Sequence, residues 1–582
     1  MPAKPSGEIK TITVRRTQKN GDIYVLERRT IYDTSLKRNK ILSTKLIHKI
    51  PKDSEVPVPT RPKRNMSDIN SDFEGQVVAV RTKVGMMEIL EHIGTTSGID
   101  AGIYDNTDIG TAQKIISIAR YFLACNGQTL PGLLTWQFNH KLPYEDGITE
   151  DVYHDLFVQV GRNETLHQGF FANRCASIKD KAVLAYDSTT ISTYSENQVE
   201  ARHGYNKDED GLKTIKYLTL YSIETRQPVA FTKQPGNLPD VITIKNALLQ
   251  LSALGLRDAE IVTDNGYYSE SNLAELFLAG FDFITLVKTN AVWVKNEIDK
   301  HLDDFDSINS VCPFDTSTHG ITVSMMREFV KVKKYDNHKT GAKKGTEETF
   351  RRRIYLHIYF NPERRVEAGK RFDEDLLELR KIVEEGINVD SFPDSVQKKV
   401  KKYLHVSNNR GKLRVSFNEA ACKNAKKYHG FFAITANKEK DTFECLRKYR
   451  KRETIEQYFE TMKRRVDGLR ARVWESGTLR GRMFVQFVAL CYYECLYNKI
   501  RNMKQVLGVK NGDPIHDTAE NIKLEKKLKS WLENTPLYVI LQWFDAIEST
   551  VVSSKLRTKR WNTEITKRDS LFLHYLGVTL PN

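Results

Sequence analysis

Residues 445–473 read CLRKYRKRETIEQYFETMKRRVDGLRARV. Wound as an α-helix at about 100° per residue, Tyr449, Arg452, Glu456 and Lys463 fall in a stripe about 60° wide. Ile455, Tyr458, Met462, Val466 and Leu469 fall on the opposite side. The stretch therefore predicts one helix that buries an apolar face and presents a phenol, a guanidinium, a carboxylate and an ammonium in a row. A carboxylate flanked by cations on a rigid element suits a metal-dependent site that handles phosphates. Glu453 and Glu460 project near Glu456, so periodicity selects a face and leaves three candidate acids. The plainer reading of the same face is a solvated surface with i,i+4 ion pairs.

Upstream, KAVLAYDSTTIS (181–192) and AEIVTDNGYYS (259–269) are short apolar runs that stop at Asp187 and Asp264, as buried strands do. Between them, LKTIKYLTLYSIET and QPVAFTKQPGN predict a hairpin turning through Arg226-Gln227-Pro228, and VITIKNALLQLSALGL predicts an amphipathic helix. A second helix, SESNLAELFLAG, and a strand, FDFITLVKT, follow. The order strand, hairpin, helix, strand, helix, strand resembles the core of an RNase H-like α/β fold. Strand-like pieces (ITVSMMREFVKV, RRRIYLHIYF) and charged helical pieces then interrupt that core, until HGFFAITAN leads back to the opening stretch. The basic run from Lys331 through Lys344 to Arg351–Arg353 reads either as a DNA channel or as a charged loop.

The expected division is a basic β-rich region and linker at 1–65, a helical region at 66–178, the first part of the core at 179–290, and a β-rich insertion at 291–430. The second part of the core, with the opening helix, spans 431–505, and a helical tail spans 506–582. Net charge is +16, and residues 1–64 carry 16 Lys/Arg against 6 Asp/Glu. Such an excess attracts polyanions through counterion release. No run of 18 apolar residues occurs and the N-terminus lacks a signal-peptide pattern, so neither a membrane span nor secretion is expected. The seven cysteines form no CxxC pair, which fits a reduced, cytoplasmic setting without zinc.

Either aspartate alone reads as a turn or helix cap. Brought together with Glu456, three carboxylates repel one another and become tolerable if they bind divalent metal. Two ions about 3.5–4 Å apart can activate an attacking water or 3′-hydroxyl and stabilise the leaving oxygen of an in-line displacement.

The spacing Tyr449-x2-Arg452-x3-Glu456-x6-Lys463 resembles the Tyr-Arg-Glu-Lys signature of bacterial insertion-sequence transposases, which are DDE enzymes with an RNase H-like domain and a β-rich insertion. AYDSTTIS and VTDNGYYS resemble the segments around their two aspartates, in the right order. This likeness covers roughly residues 180–500. It implies a metal-binding catalytic triad of Asp187, Asp264 and Glu456, served by two Mg²⁺ ions or by Mn²⁺. It implies that Tyr449, Arg452 and Lys463 contact phosphates of double-stranded DNA at the element ends, within a homodimeric synaptic complex. Trp293 is a candidate for stacking on a flipped base, its plainer role being packing. The expected activity is cleavage and strand transfer at terminal repeats, by cut-and-paste, in the cytoplasm on the nucleoid. The rivals are a structure-selective nuclease on the same fold and a catalytically silent DNA-binding descendant.

Overall fold

The computed structural model describes residues 9–33, 38–54, 56–59, 78–178, 182–256, 258–332, 345–386, 389–409, 412–510, 512, 517–553 and 558–581. Most of the linker expected before residue 65 and of the basic run at 331–344 lies outside these residues. The chain forms two compact units, Met1–Val80 with Thr550–Trp561, and Arg81–Ser549 with Asn562–Asn582.

The first unit contains an antiparallel meander, Lys10–Thr17, Ile23–Asp33 and Arg38–Ile50, as the β-branched runs predict. Gly21, at φ 88°, closes its first turn, a conformation that an L side chain adopts only under strain. The strands are mostly exposed, with Val25 and Thr30 buried, as is Asp22 in the first turn.

The second unit is built on a nine-stranded sheet. Its spatial order is Val311–Cys312, Asp315–Val332, Glu347–Phe360, Phe431–Ala436, Asp282–Val287, Glu260–Thr263, Val183–Thr193, Lys213–Ser222 and Gln227–Pro235. Glu260–Thr263 pairs in parallel with both Val183–Thr193 and Asp282–Val287, while the other pairs are antiparallel. The central strands are buried along their whole length, which is why they read as continuous apolar runs rather than alternating ones. Strands of the stretch expected as an insertion at 291–430 extend this same sheet, because Glu347–Phe360 pairs with Phe431–Ala436. The stretch 362–427 does have a small apolar core of its own, around Leu376, Leu379, Val383, Val400, Leu404 and Cys422. The tail expected to be helical also holds two strands, Glu548–Ser553 and Thr558–Asn562.

Helix Ser476–Val506 runs through the core of this unit. It meets helix Glu150–Arg162 at glycines: a Cβ on Gly161 would come within 1.9 Å of the Gly477 carbonyl oxygen, and one on Gly481 within 1.9 Å of the Phe157 oxygen. Only hydrogen side chains permit that approach. Among the described residues no helix is long and apolar enough to cross a membrane.

His167, on helix Glu164–Ala176, is buried with its ring 4.4 Å from that of Phe484 and its Nε2 3.1 Å from the Val160 oxygen. Burial, with the Arg480 charge behind it, pushes its pKa down to about 4. The unfolded chain takes up this proton near the ordinary value of about 6.5, so the contribution is present above that pH and is lost as the solution is acidified towards 4. Wild-type stability should lose about 2 kcal/mol through His167 between pH 7 and pH 5. Denaturant titrations of wild type and His167→Asn at both pH values check this. An equal pH dependence in the two proteins would refute it.

Candidate active site

Parallel pairing brings the two aspartates together. Val183, Leu184 and Ala185 stand opposite Glu260, Ile261 and Val262. Carried two residues further, that register sets Asp187 beside Asp264. Asp264 follows the end of its strand as expected, but Asp187 does not end its own: Val183–Thr193 runs on past it, paired with Lys213–Ser222, and only its pairing with Glu260–Thr263 stops before Asp187. Asp187 is the more enclosed: its side chain is 12% exposed against 37% for Asp264.

Residues 445–473 do not form one helix. Helix Thr442–Lys451 ends and helix Glu453–Arg465 begins at Arg452, where Arg452 N–H bonds to the Tyr449 oxygen and Ile455 N–H to the Arg452 oxygen, three residues back in each case. This tight joint turns Arg452 into the core. Ile455, Tyr458, Met462 and Val466 are buried as their spacing predicts; Leu469 lies beyond the helix end and is exposed.

Arg452 is the hub. Its Nη1 donates to Asp187 Oδ2 at 2.8 Å and its Nη2 to Glu456 Oε1 at 2.9 Å, with Asp264 Oδ2 3.9 Å away. The Tyr449 hydroxyl donates to Asp264 Oδ1 at 3.3 Å, and the Arg452 guanidinium lies 5.6 Å from the Tyr449 ring centre. Five of the seven residues singled out by sequence thus meet in one place. Of the three rival acids on the second helix, Glu456 is the one that reaches Arg452; Glu460 pairs with Arg464 at 3.2 Å and Glu453 is solvent-exposed.

Burial pushes the Asp187 carboxyl up to about 6, although the Arg452 cation and the Ser188 N–H pull it back. Burial also works against the Arg452 charge, yet Asp187, Tyr449, Asp264 and Glu456 outweigh it and hold the guanidinium above its usual range. Burial likewise raises the Tyr449 phenol, so it remains a donor at neutral pH.

Lys463 and Trp293 make other contacts. Lys463 Nζ holds both oxygens of Asp208, at 3.0 and 2.8 Å. Trp293 is partly buried on helix Val292–Lys300 under Arg327, whose guanidinium is 4.1 Å from its ring. Asp208 was not legible as a partner of Lys463: it sits in a polar loop, 255 residues away in sequence.

Three carboxylates aimed at one cation are hard oxygen donors, and they suit a divalent ion such as Mg²⁺ in chemistry. Among the described residues no group of three His, Cys, Asp or Glu side chains already stands in ligating geometry; Arg452 is the cation they share.

A family model described as the transposase DDE domain matches residues 178–492. Among solved structures, the piggyBac transposase synaptic complex with hairpin DNA is similar at 9% identity and a TM-score of 0.33, over 78% of this chain and 81% of that one. No curated protein matches the chain.

Proposed function

The chain belongs to the transposase DDE-domain family, and from that premise we propose that it cuts DNA at the ends of a mobile element and joins the freed ends to a target. The observation that carries this reading is the meeting of Asp187, Asp264 and Glu456, from three distant segments, around one guanidinium. The order strand, hairpin, helix, strand, helix, strand beneath them supports an RNase H-like core.

In this reading Asp187, Asp264 and Glu456 hold two Mg²⁺ or Mn²⁺ ions. Bound there, the ions supply activation of the attacking oxygen and charge stabilisation on the leaving one. Arg452 exchanges its carboxylate partners for the phosphate beside the cut, where its planar fork offers two parallel donors. Tyr449, kept protonated, donates to a phosphate oxygen. Lys463 supplies a point charge once Asp208 releases it. Together these residues carry the Tyr-Arg-Glu-Lys signature. The basic N-terminal meander and the helices before residue 178 grip the element ends through phosphate contacts, and two copies hold two ends.

The test is a labelled duplex carrying the terminal DNA that borders the gene for this chain. Cleavage at the boundary is expected with Mg²⁺ and none with chelator. Ends supplied already cut should then be joined to a second duplex. Cutting without joining would replace the transposase reading by a nuclease; tight binding with neither activity would leave a silent DNA-binding descendant.

A further inference from the structure

Asp187 lies within strand Val183–Thr193, two residues past its last pair with Glu260–Thr263, and Asp264 lies just after that second strand, so neither is held by pairing between the two strands. A ring of contacts around the start of helix Asp240–Ala253 links the two. Ser188 N–H donates to Asp187 Oδ1 at 2.8 Å, and Ser188 Oγ donates to Asp240 Oδ1 at 2.9 Å. Lys216, reaching over from the adjacent strand, donates to the same Asp240 oxygen at 2.7 Å and to the Leu238 carbonyl at 2.6 Å. The Lys216 side chain is 10% exposed and that of Asp240 32%, so the pair is held from its protein side while the carboxylate keeps some contact with solvent.

The other half of the ring begins one residue along. The buried Asn272 amide donates to the Val241 oxygen at 2.7 Å and to the Tyr267 oxygen at 2.8 Å. Tyr267 N–H in turn closes the turn on the Asp264 oxygen at 3.1 Å. Gly266 lies against the same helix start, since a Cβ there would be 3.6 Å from Asp240 Oδ2. The Tyr186 hydroxyl adds a bond to the Thr243 oxygen at 3.2 Å. The path from one aspartate to the other is therefore continuous: Asp187, Ser188, Asp240, Val241, Asn272, Tyr267, Asp264.

We propose that Asp240 and Asn272 are positioning residues that fix the spacing of Asp187 and Asp264 by clamping both to one helix start. The inference rests on the proposed function, because it assigns the two aspartates to a shared divalent-ion site. Ligating groups tolerate displacements of only about 0.5 Å, and the residues that orient metal ligands typically matter by about 10–100-fold. Neither Asp240 nor Asn272 contacts DNA or metal in this scheme; each acts through its neighbour.

The experiment compares wild type, Asp240→Ala, Asp240→Asn and Ser188→Ala. It reads Mn²⁺ binding by calorimetry without DNA, affinity for the terminal duplex, cleavage rate at saturating duplex, and the unfolding midpoint. Asp240→Ala should weaken Mn²⁺ binding and slow cleavage by about 10–100-fold with DNA affinity unchanged. Asp240→Asn keeps an oxygen for Ser188 and should recover most of both. Ser188→Ala removes one hydroxyl and leaves the Lys216 ion pair, so it should share the defect without a drop in midpoint. Wild-type Mn²⁺ affinity in both Asp240→Ala and Ser188→Ala overturns the proposal while leaving the transposase reading intact. So does a defect that Asp240→Asn does not relieve and that follows the midpoint. A wild-type protein that binds no Mn²⁺ and cuts no DNA overturns both.

Discussion

Glu456→Gln is expected to lower boundary cleavage by about 10³-fold or more while leaving the unfolding midpoint where it was. The two effects separate because Glu456 is chemically central and structurally peripheral. Its side chain is 58% exposed, and its one described partner is Arg452 at 2.9 Å, four residues earlier. Exposed pairs of that kind contribute about 0.3–0.5 kcal/mol. Loss of a carboxylate from a two-ion site removes several kcal/mol of charge stabilisation from the reaction, and every 1.4 kcal/mol is tenfold in rate. Single-turnover cleavage, DNA affinity and thermal unfolding measured on one preparation check the claim. Equal cleavage by both proteins would remove Glu456 from the site and return Glu453 and Glu460 to candidacy.

Arg452→Ala should behave in the opposite way, with a large loss of stability. Arg452 is 11% exposed and Asp187 12%, and the 2.8 Å pair between them is enclosed. Removing the cation leaves a buried carboxylate without its partner, a change that costs about 3–5 kcal/mol where one member of a buried pair is deleted. Arg452→Lys should recover little, because one ammonium cannot span Asp187 and Glu456 as the guanidinium fork does. The double variant Arg452→Ala with Asp187→Asn should be more stable than Arg452→Ala alone, since the stranded charge has gone. Denaturant midpoints for wild type, Arg452→Ala, Asp187→Asn and the double variant form a cycle that reads the coupling directly. Additive losses would show that Arg452 stabilises the joint between its two helices through packing and not through Asp187.

How much of this site was legible before folding follows from what each residue's position depends on. Asp187 and Asp264 were found because strands buried on both faces leave unbroken apolar runs, and a carboxylate that ends such a run is conspicuous. Tyr449, Arg452 and Glu456 were found because a helix face repeats with a known period. Both signals are local, and the structure keeps each in part: the strands are Val183–Thr193, which runs on past Asp187, and Glu260–Thr263, the single helix face is broken at Arg452, and the acids still meet around Arg452.

Other features depend on partners remote in the chain, which periodicity does not record. The break at Arg452 comes from a joint that lets its side chain reach Asp187, 265 residues away in sequence. Lys463 lies on the expected helix, yet it turns to Asp208, 255 residues away. The long hairpin Asp315–Val332 and Glu347–Phe360 reads as an inserted piece, because nothing in its own alternation reveals that Phe431–Ala436 receives its edge. Asp240 looks like an ordinary acid at a helix start, a place where carboxylates are favoured in any case. Hydrophobic period and strand ends, set by each segment's own burial, name the elements and the acids they carry. Which cation those acids share, and which residues hold them apart, depends on side chains that meet only when the sheet and helices have packed.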